Sequence, residues 1–269
     1  MALADFATYK TLLASPAEIK QFSKQTIATQ NGRLNSYWTL GNVAAGTAPS
    51  TAVAPTSATA GAMGQTDGGS GALHVLGVRL SAQSAGVFLL CDRLSHQGGL
   101  DATSVITLTT NLPTAALTRY TGGVGVWACL EIYTAIGATA TTATAIYTNQ
   151  DGTATQTTQP TVFGGTGYNA AGRIIPLGLA SGDTGVQAVT SVLLAGSTGT
   201  AGNFGVTLLR PLLAIPAFVP RSLHDFDVLL ALSGQFNEIV DGACLTWLCF
   251  AGSDGATGNI EGTLRFSEV

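Results

Sequence analysis

Apolar and hydroxyl-bearing side chains alternate with a period of two from residue 72 onward, and glycine-rich turns interrupt the alternation. The clearest run spans residues 124–133, where the even positions are Val, Val, Ala, Leu and Ile. Alternation of this kind predicts half-buried β-strands, and Asp151-Gly152 between two such runs predicts a hairpin. Roughly ten or more short strands with almost no helix indicate an all-β fold, with a β-sandwich or jelly-roll body over residues 72–269.

The first 40 residues follow a different pattern. Four apolar residues recur there at helical spacing: Phe6, Tyr9, Leu12 and Leu13. The segment Ser15-Pro16-Ala17-Glu18 then has the capping serine, first-turn proline and acidic third position that begin many helices. Ile19 and Phe22 continue an apolar stripe to about residue 26. We therefore predict a short helical N-terminal arm, made of two helices, within residues 1–40.

Residues 41–71 form a low-complexity segment of Gly, Ala, Thr, Ser and Pro, with hardly a large side chain after Val43. Such a segment buries too little apolar area to offset the entropy lost on ordering. Alone it would be a flexible linker, whereas in an assembly it would be an extended strap laid over a neighbour. We call residues 41–71 the strap.

Charged residues make up only 10% of the chain, against about 25% in an ordinary soluble domain. The 11 Lys and Arg do not cluster and are outnumbered by 15 Asp and Glu, which argues against direct nucleic-acid binding. A surface with so few charges is best reconciled with solubility if much of it is buried against other subunits. This predicts a homo-oligomer, such as a trimer.

No membrane span or secretion signal is evident. The most apolar stretch, residues 206–219, is short and contains Arg210 and two prolines. The four cysteines lie inside apolar runs, as expected for buried, reduced thiols in a protein made in a reducing cytoplasm: Cys91, Cys129, Cys244 and Cys249.

A search for catalytic or ligand-binding patterns yields none. The segment from Cys91 to His96 contains Asp92, Arg93 and Ser95 but lacks a nucleophile elbow, and we interpret it as a strand end with a solvated charge pair. His224-Asp225 is interpreted as a loop or strand cap. Cys244 and Cys249 have no further zinc ligands nearby, the glycine-rich loops lack a phosphate-loop ending, and nothing pairs the carboxylates of Glu131, Asp183, Glu238 and Asp241. We predict a non-enzymatic protein with no catalytic, cofactor-binding or metal-binding residues.

Aromatic residues supply the remaining candidates. Trp127 and Trp247 lie in predicted strands, where packing in the core is the usual role. Tyr37 and Trp38 either anchor the arm on a neighbouring subunit or tuck into their own domain. The candidate interface residues are Phe6, Tyr9, Leu12, Leu13, Tyr37 and Trp38.

Three segments resemble virion structural proteins of tailed bacteriophages: residues 117–126 (LTRYTGGVGV), 147–153 (YTNQDGT) and 199–210 (GTAGNFGVTLLR). The resemblance runs from about residue 30 to residue 215 and is to head-associated components. It implies a decoration or cement protein on the capsid surface, whose partners are the major capsid protein and copies of itself. It supplies no site residues.

Other functions remain open. A major capsid protein fits less well, because no long amphipathic helix is visible. A phage tail-tube or fibre subunit is the first alternative, since those proteins are also rich in β-strands. A carbohydrate-binding or hydrolytic β-sandwich, using Trp127, Trp247 or an acidic residue, is the second.

Overall fold

The computed structural model describes residues 18–25, 27–40, 45–65, 73–228, 238–253 and 259–268. Within these ranges the all-β prediction is confirmed. The strands are β1 (Glu18–Lys24), β2 (Leu34–Ser36), β3 (Leu73–Ala82), β4 (Gly86–Leu100), β5 (Leu108–Thr109), β6 (Trp127–Thr134), β7 (Thr141–Asn149), β8 (Gln156–Thr157), β9 (Thr161–Phe163), β10 (Ile174–Pro176), β11 (Val186–Leu194), β12 (Asn203–Ala217), β13 (Leu223–Asp227), β14 (Glu238–Ile239), β15 (Leu245–Ala251) and β16 (Ile260–Glu268). A single 3₁₀ turn, Leu112–Thr114, follows β5.

The central sheet closes on itself into a small barrel. Its six strands run in the order β10-β6-β12-β4-β15-β2, and all neighbours are antiparallel. The edge strands meet through an antiparallel bridge between Asn35 and Arg173, and the Ser36 amide donates to the Gly172 carbonyl at 2.7 Å. Each of the six strands contributes one apolar residue to a shared interior cluster: Leu34, Cys91, Cys129, Ile174, Leu209 and Leu248. The interior is thus filled with side chains, as in other narrow barrels.

Two further sheets pack on the outside of the barrel. The first has the order β1-β16-β3-β13, with β14 also paired to β3, and it buries a core against β4, β12 and β15. The second has the order β5-β11-β7-β8, with β9 also paired to β7, and it buries a core against β4, β6 and β12. The packing of sheet against sheet that a sandwich requires is therefore present, with the barrel as the middle layer.

The prediction of a second helix after Ser15 is wrong, because Glu18–Lys24 is strand β1. This strand pairs along its whole length with β16, from Glu18 opposite Phe266 to Lys24 opposite Ile260. Its buried face carries Phe22, which packs against Trp247 with ring centroids 5.3 Å apart. The other inward residue is Lys24, and a lysine on the buried face hides the period-two pattern from sequence inspection. Residues 1–17, including the first predicted helix, lie outside the described residues.

The strap lies on its own chain over residues 45–65. Val53 pairs with His96 of β4, and buried side chains outside the strap donate hydrogen bonds to strap carbonyls: Trp38 to Thr47 (2.8 Å), Gln97 to Ser50 (3.2 Å), Arg119 to Pro55 (3.0 Å) and Lys24 to Gly61 (3.0 Å). A Cβ atom on Gly46 would lie 2.2 Å from the Trp38 ring. The small residues therefore have a structural role, because they let the strap approach the ring closely.

In the described structure, hydrogen bonds and strand pairing cross the predicted boundaries at residues 40 and 71. Strand β2 falls within the predicted arm but is part of the barrel, and Tyr37, which follows it, bonds to Trp247 of β15. Val53 of the strap pairs with His96 of β4. Within the body most predicted strands are present, and β7 pairs with β8 in the hairpin expected at Asp151-Gly152. Val105 and Ile106 precede β5 and are 55% and 69% exposed, although apolar and hydroxyl side chains also alternate over residues 105–109.

Trp38 provides a test of this architecture, because its ring is fully buried between the barrel and the strap. We expect Trp38→Ala to lower the free energy of unfolding by about 3–5 kcal/mol, the usual cost of truncating a buried Trp. Chemical denaturation followed by circular dichroism measures this change. Val105→Ala, at an exposed site, is the matched control and should change stability by about 0.5 kcal/mol or less. Equal effects of the two substitutions would contradict the position assigned to Trp38.

Candidate functional site: the polar barrel core and its open mouth

An ion pair lies inside the barrel. Arg93 on β4 and Glu131 on β6 form a two-pronged contact, with Nη1–Oε2 at 2.7 Å and Nη2–Oε1 at 2.9 Å. Both side chains are almost fully inaccessible to solvent. Because strand β12 lies between β4 and β6, the pair joins two strands that do not pair with each other. Paired geometry of this kind is required for charges to be tolerated in a protein interior.

Neighbouring polar and aromatic side chains also contact the pair. The Thr207 hydroxyl donates to Glu131 Oε2 at 2.6 Å, and the Tyr133 hydroxyl donates to the same oxygen at 3.2 Å. The Arg93 guanidinium also stacks over the Trp38 ring, 4.2 Å from its centroid. Along the barrel axis, the apolar interior cluster is followed by the Arg93–Glu131 pair, which we call the ionic layer. Beyond it the Trp38 ring, which we call the aromatic cap, lies beneath the strap.

The network fixes the charge states of its members. Burial alone raises the pKa of Glu131, but the charge and hydrogen bonds of Arg93 outweigh burial and lower that pKa to about 2. Burial lowers the pKa of His96 to about 3, and the nearby Arg93 charge acts in the same direction. At neutral pH Glu131 is therefore ionised and His96 is neutral. A buried neutral histidine beside a permanently paired carboxylate offers no group poised for proton transfer near pH 7.

A second buried ion pair fastens the strap to the barrel. Arg119 Nε and Nη2 lie 2.8 and 2.9 Å from the two oxygens of Asp92, which also accepts the Cys244 amide at 2.8 Å. Arg119 Nη2 reaches the Pro55 carbonyl of the strap as well. Burial raises the pKa of Asp92, and the Arg119 charge and hydrogen bonds oppose that increase.

These pairs correct two interpretations made from the sequence. Asp92 and Arg93 are not a solvated pair at a strand end, because both are fully buried within the 15-residue strand β4. Glu131 is not unpaired, because Arg93 is its partner across the barrel. The sequence does contain a signal for this ion pair, because Arg93 and Glu131 each occupy an inward position of a long apolar strand. His224-Asp225 lies in β13, where Asp225 makes an exposed ion pair with Arg79 at 2.9 Å.

The predicted interface residues fall into two groups. Phe6, Tyr9, Leu12 and Leu13 lie outside the described residues. Tyr37 and Trp38 are fully buried within their own chain, so these rings present no surface to a neighbouring subunit. Their burial follows from their position immediately after β2, where the Tyr37 amide bonds the Trp247 carbonyl at 3.1 Å.

The other tryptophans and the cysteines can also be placed. Trp247 is fully buried, as predicted, and so are the four free thiols. Trp127 is 38% exposed and lies at the barrel mouth rather than in a closed core. Trp247 is therefore not accessible for stacking on a sugar, as the carbohydrate-binding alternative would require.

The barrel is open at the end opposite the aromatic cap. A pocket of about 570 Å³ is lined there by apolar residues of five barrel strands: Leu34, Val87, Leu89, Trp127, Ile174, Pro176 and Phe250. We call this pocket the barrel mouth. Tyr168, Val162 and two cations, Arg33 and Arg173, also line it, and none of the described lining residues is acidic. Its size and apolar lining are those of a binding pocket, and barrel mouths are a common place for one.

A second apolar surface lies where β12 leads into β13. Phe218, Val219 and Leu223 are 65%, 58% and 64% exposed. We call these three residues the apolar tip. Clustered exposed apolar side chains, unlike isolated ones, mark interaction surfaces.

Residues 117–126, 147–153 and 199–210, the three segments singled out in the sequence, lie close together. The Arg210 guanidinium, in the third segment, donates to the Val124 carbonyl at 2.9 Å and lies over the Tyr120 ring in the first. Gln150, in the second, accepts the Gly185 amide at 3.2 Å, and Gly185 forms a bridge with Val124. The three segments therefore build one local structure around the start of β6.

Comparisons with known proteins give little further information. No protein-family model matches the chain, and no curated protein is similar to it. Among solved structures, the VP2 subviral particle of infectious bursal disease virus has 9% identity, 95% of this chain and 81% of that chain covered, and a TM-score of 0.20. A structure of the Gt strain of the same virus has 10% identity, coverage of 95% and 82%, and a TM-score of 0.18. Likeness at these TM-scores carries no argument about fold or function.

Within the described ranges, no group of three or more His, Cys, Asp and Glu is arranged to hold a metal ion. No helix in that part of the chain is long and apolar enough to cross a membrane.

The ionic layer generates a prediction about stability. Glu131→Gln leaves the Arg93 charge buried without its partner, and we expect a loss of about 3–5 kcal/mol in the free energy of unfolding. Asp225→Asn, which breaks the exposed pair with Arg79, is the control and should cost less than about 1 kcal/mol. Chemical denaturation of both variants at pH 7 distinguishes these outcomes.

The pH dependence of the same variant gives a second readout. Because folding lowers the pKa of Glu131 from 4.5 to about 2, its contribution to stability is present above pH 4.5 and is lost as pH falls toward 2. The difference in stability between the wild-type chain and Glu131→Gln should therefore shrink across that window. A difference that stays constant with pH would show that Glu131 is not ionised inside the barrel.

Proposed function

We propose that this chain is a virion structural protein that decorates the capsid surface. In this role it acts as a cement protein, which binds the major capsid protein and other copies of itself. The proposal involves no catalysis. Attachment would come from many modest contacts repeated by the symmetry of the shell, so that avidity supplies the strength.

The observation that carries the proposal is exposed apolar surface on an all-β chain with few charges. The apolar tip and the barrel mouth both present large apolar side chains to solvent, including Phe218 and Phe250 at 65% and 48% exposure. Because only 10% of the residues are charged, charge repulsion would do little to keep the apolar patches of different molecules apart in a crowded solution. A subunit whose surface is covered by its neighbours accounts for both features.

The polar core supports the same proposal from another direction. The residues best suited to chemistry are buried and are paired or hydrogen-bonded within the barrel and beneath the strap: Asp92, Arg93, His96, Arg119 and Glu131. A network arranged in this way holds strands and the strap in position. It fits a structural protein whose contacts are repeated by the symmetry of a shell, and the resemblance of the three segments to phage head proteins agrees with that role.

The apolar tip provides the first test. We expect a variant carrying Phe218→Ser, Val219→Ser and Leu223→Ser to bind shells lacking this protein at least about tenfold more weakly, because burial of each side chain contributes to attachment. Co-sedimentation with purified shells measures binding. The melting temperature should not fall, since all three side chains are exposed in the isolated chain.

A variant with Thr153→Ser and Thr157→Ser, at exposed positions of the β7–β8 hairpin, is the matched control and should bind like wild type. Attachment of the tip variant at wild-type strength would exclude the tip as a shell contact. Failure of the wild-type chain to bind any such shell would reject the proposed function itself.

The predicted arm needs a separate test. Because β1 begins at Glu18, deletion of residues 1–17 removes Phe6, Tyr9, Leu12 and Leu13 without cutting a described strand. We expect the truncated chain to melt like the full chain but to co-sediment less with shells. Unchanged attachment would remove the arm from the interface.

A tail-tube or fibre subunit remains the alternative with a distinct outcome. Purified chain that forms rings or tubes by itself, seen by negative-stain electron microscopy, would favour that assignment over a cement protein.

A further inference from the structure

The barrel mouth differs from the rest of the apolar surface because it combines an apolar floor with positive charge. Among the described residues, its lining includes Arg33 and Arg173 but no Asp or Glu. Arg173 is already committed to the fold, since it donates to the carbonyl of Gly167 and to the Asn35 side chain, where the barrel closes. Arg33 is held less tightly, and it is the residue that can serve a ligand.

Arg33 lies over the Tyr168 ring, with its guanidinium carbon 4.1 Å from the ring centroid. One nitrogen, Nη1, donates to the neighbouring Gly32 carbonyl at 3.2 Å. Its Nε atom is buried and has no hydrogen-bond partner. A guanidinium oriented by an aromatic ring, with donor capacity left unused beside an apolar pocket, is suited to receive a carboxylate.

The floor of the mouth limits the shape of the ligand. Beneath Leu89 and Leu34 the interior is closed by side chains that are fully buried: Cys91, Cys129, Leu209 and Leu248. No tunnel is available for a long acyl chain. A volume of about 570 Å³ instead matches two or three medium-sized side chains entering from outside.

We propose that the barrel mouth binds an extended polypeptide segment that places apolar side chains between Trp127 and Phe250 and a carboxylate on Arg33. The charge of the lining selects an acidic peptide over a basic one, and the closed floor selects short side chains over a lipid tail. The assignment goes beyond the cement role, because it concerns the isolated chain and specifies the chemistry of a partner segment rather than attachment to a shell.

Trp127 supplies the readout. Of the three tryptophans, Trp38 and Trp247 are fully buried, so solvent-sensitive fluorescence comes from Trp127. The probe is the peptide acetyl-Leu-Glu-Phe-Glu-Leu-amide, compared with versions carrying Gln or Lys in place of both Glu. We expect the Glu peptide to shift Trp127 emission to the blue and protect it from acrylamide. The Gln peptide should bind about tenfold more weakly, the cost of losing one charge-assisted hydrogen bond, and the Lys peptide more weakly still.

Variants of the full chain assign the selectivity. Arg33→Gln should abolish the preference for Glu over Gln, whereas Arg33→Lys should keep part of it. Arg79→Gln, at an exposed arginine paired with Asp225, is the matched control and should bind all peptides like wild type. Phe250→Ser should weaken the binding of every peptide without changing the preference for Glu over Gln. Circular dichroism melting of each variant confirms that it is folded.

Three results would overturn the proposal. The first is equal binding of the Glu and Gln peptides, or no binding of either. The second is tighter binding of dodecanoate than of the Glu peptide, which would assign the mouth to a lipid. The third is protection of Trp127 that rises with protein concentration without peptide, which would show that a second copy covers the mouth. None of these results depends on attachment to shells, so they are separable from failure of the cement role.

Discussion

The contact between Arg93 and Glu131 is the interaction on which the rest of the structure depends. It lies in a part of the barrel that is closed to solvent, where each charge is tolerated only because the other is in place. It links β4 to β6 across β12, and its neighbours reach from Ser36 on β2 to Trp38 under the strap. Removing one charge would therefore disturb the barrel, its aromatic cap and the seating of the strap together.

This polar core helps to position residues 45–65, a segment with few large side chains. The side chains of Trp38, Gln97, Arg119 and Lys24 donate to strap carbonyls, so directional hydrogen bonds add to the burial of Ala62 and Met63 in holding the strap. Gly46 and Gly61 allow the chain to pass within contact distance of the Trp38 ring. Low complexity here reflects close packing against a rigid surface.

Period-two patterning was sufficient to predict the fold class, most strands of the body and the hairpin at Asp151-Gly152, because each of these is encoded locally. The helix expected after Ser15 failed because pairing with β16, more than 230 residues away, overrides local capping signals. Closure of the barrel and the pairing of Arg93 with Glu131 were not predictable, since both depend on strand order. The barrel mouth was missed for the same reason: its lining comes from separate strands, and Trp127 alone gave no sign of exposure.

The chain therefore combines a barrel whose buried charges are paired with apolar patches on its outside. The central claim is that these patches are covered by other proteins of a virus particle. A cryo-electron microscopy map of native particles carrying this protein tests the claim most directly. The account predicts density for the barrel and its two flanking sheets on the outer capsid surface, with the apolar tip buried in a contact. Density confined to the tail, or a capsid-bound subunit whose apolar tip and barrel mouth both face solvent, would contradict it.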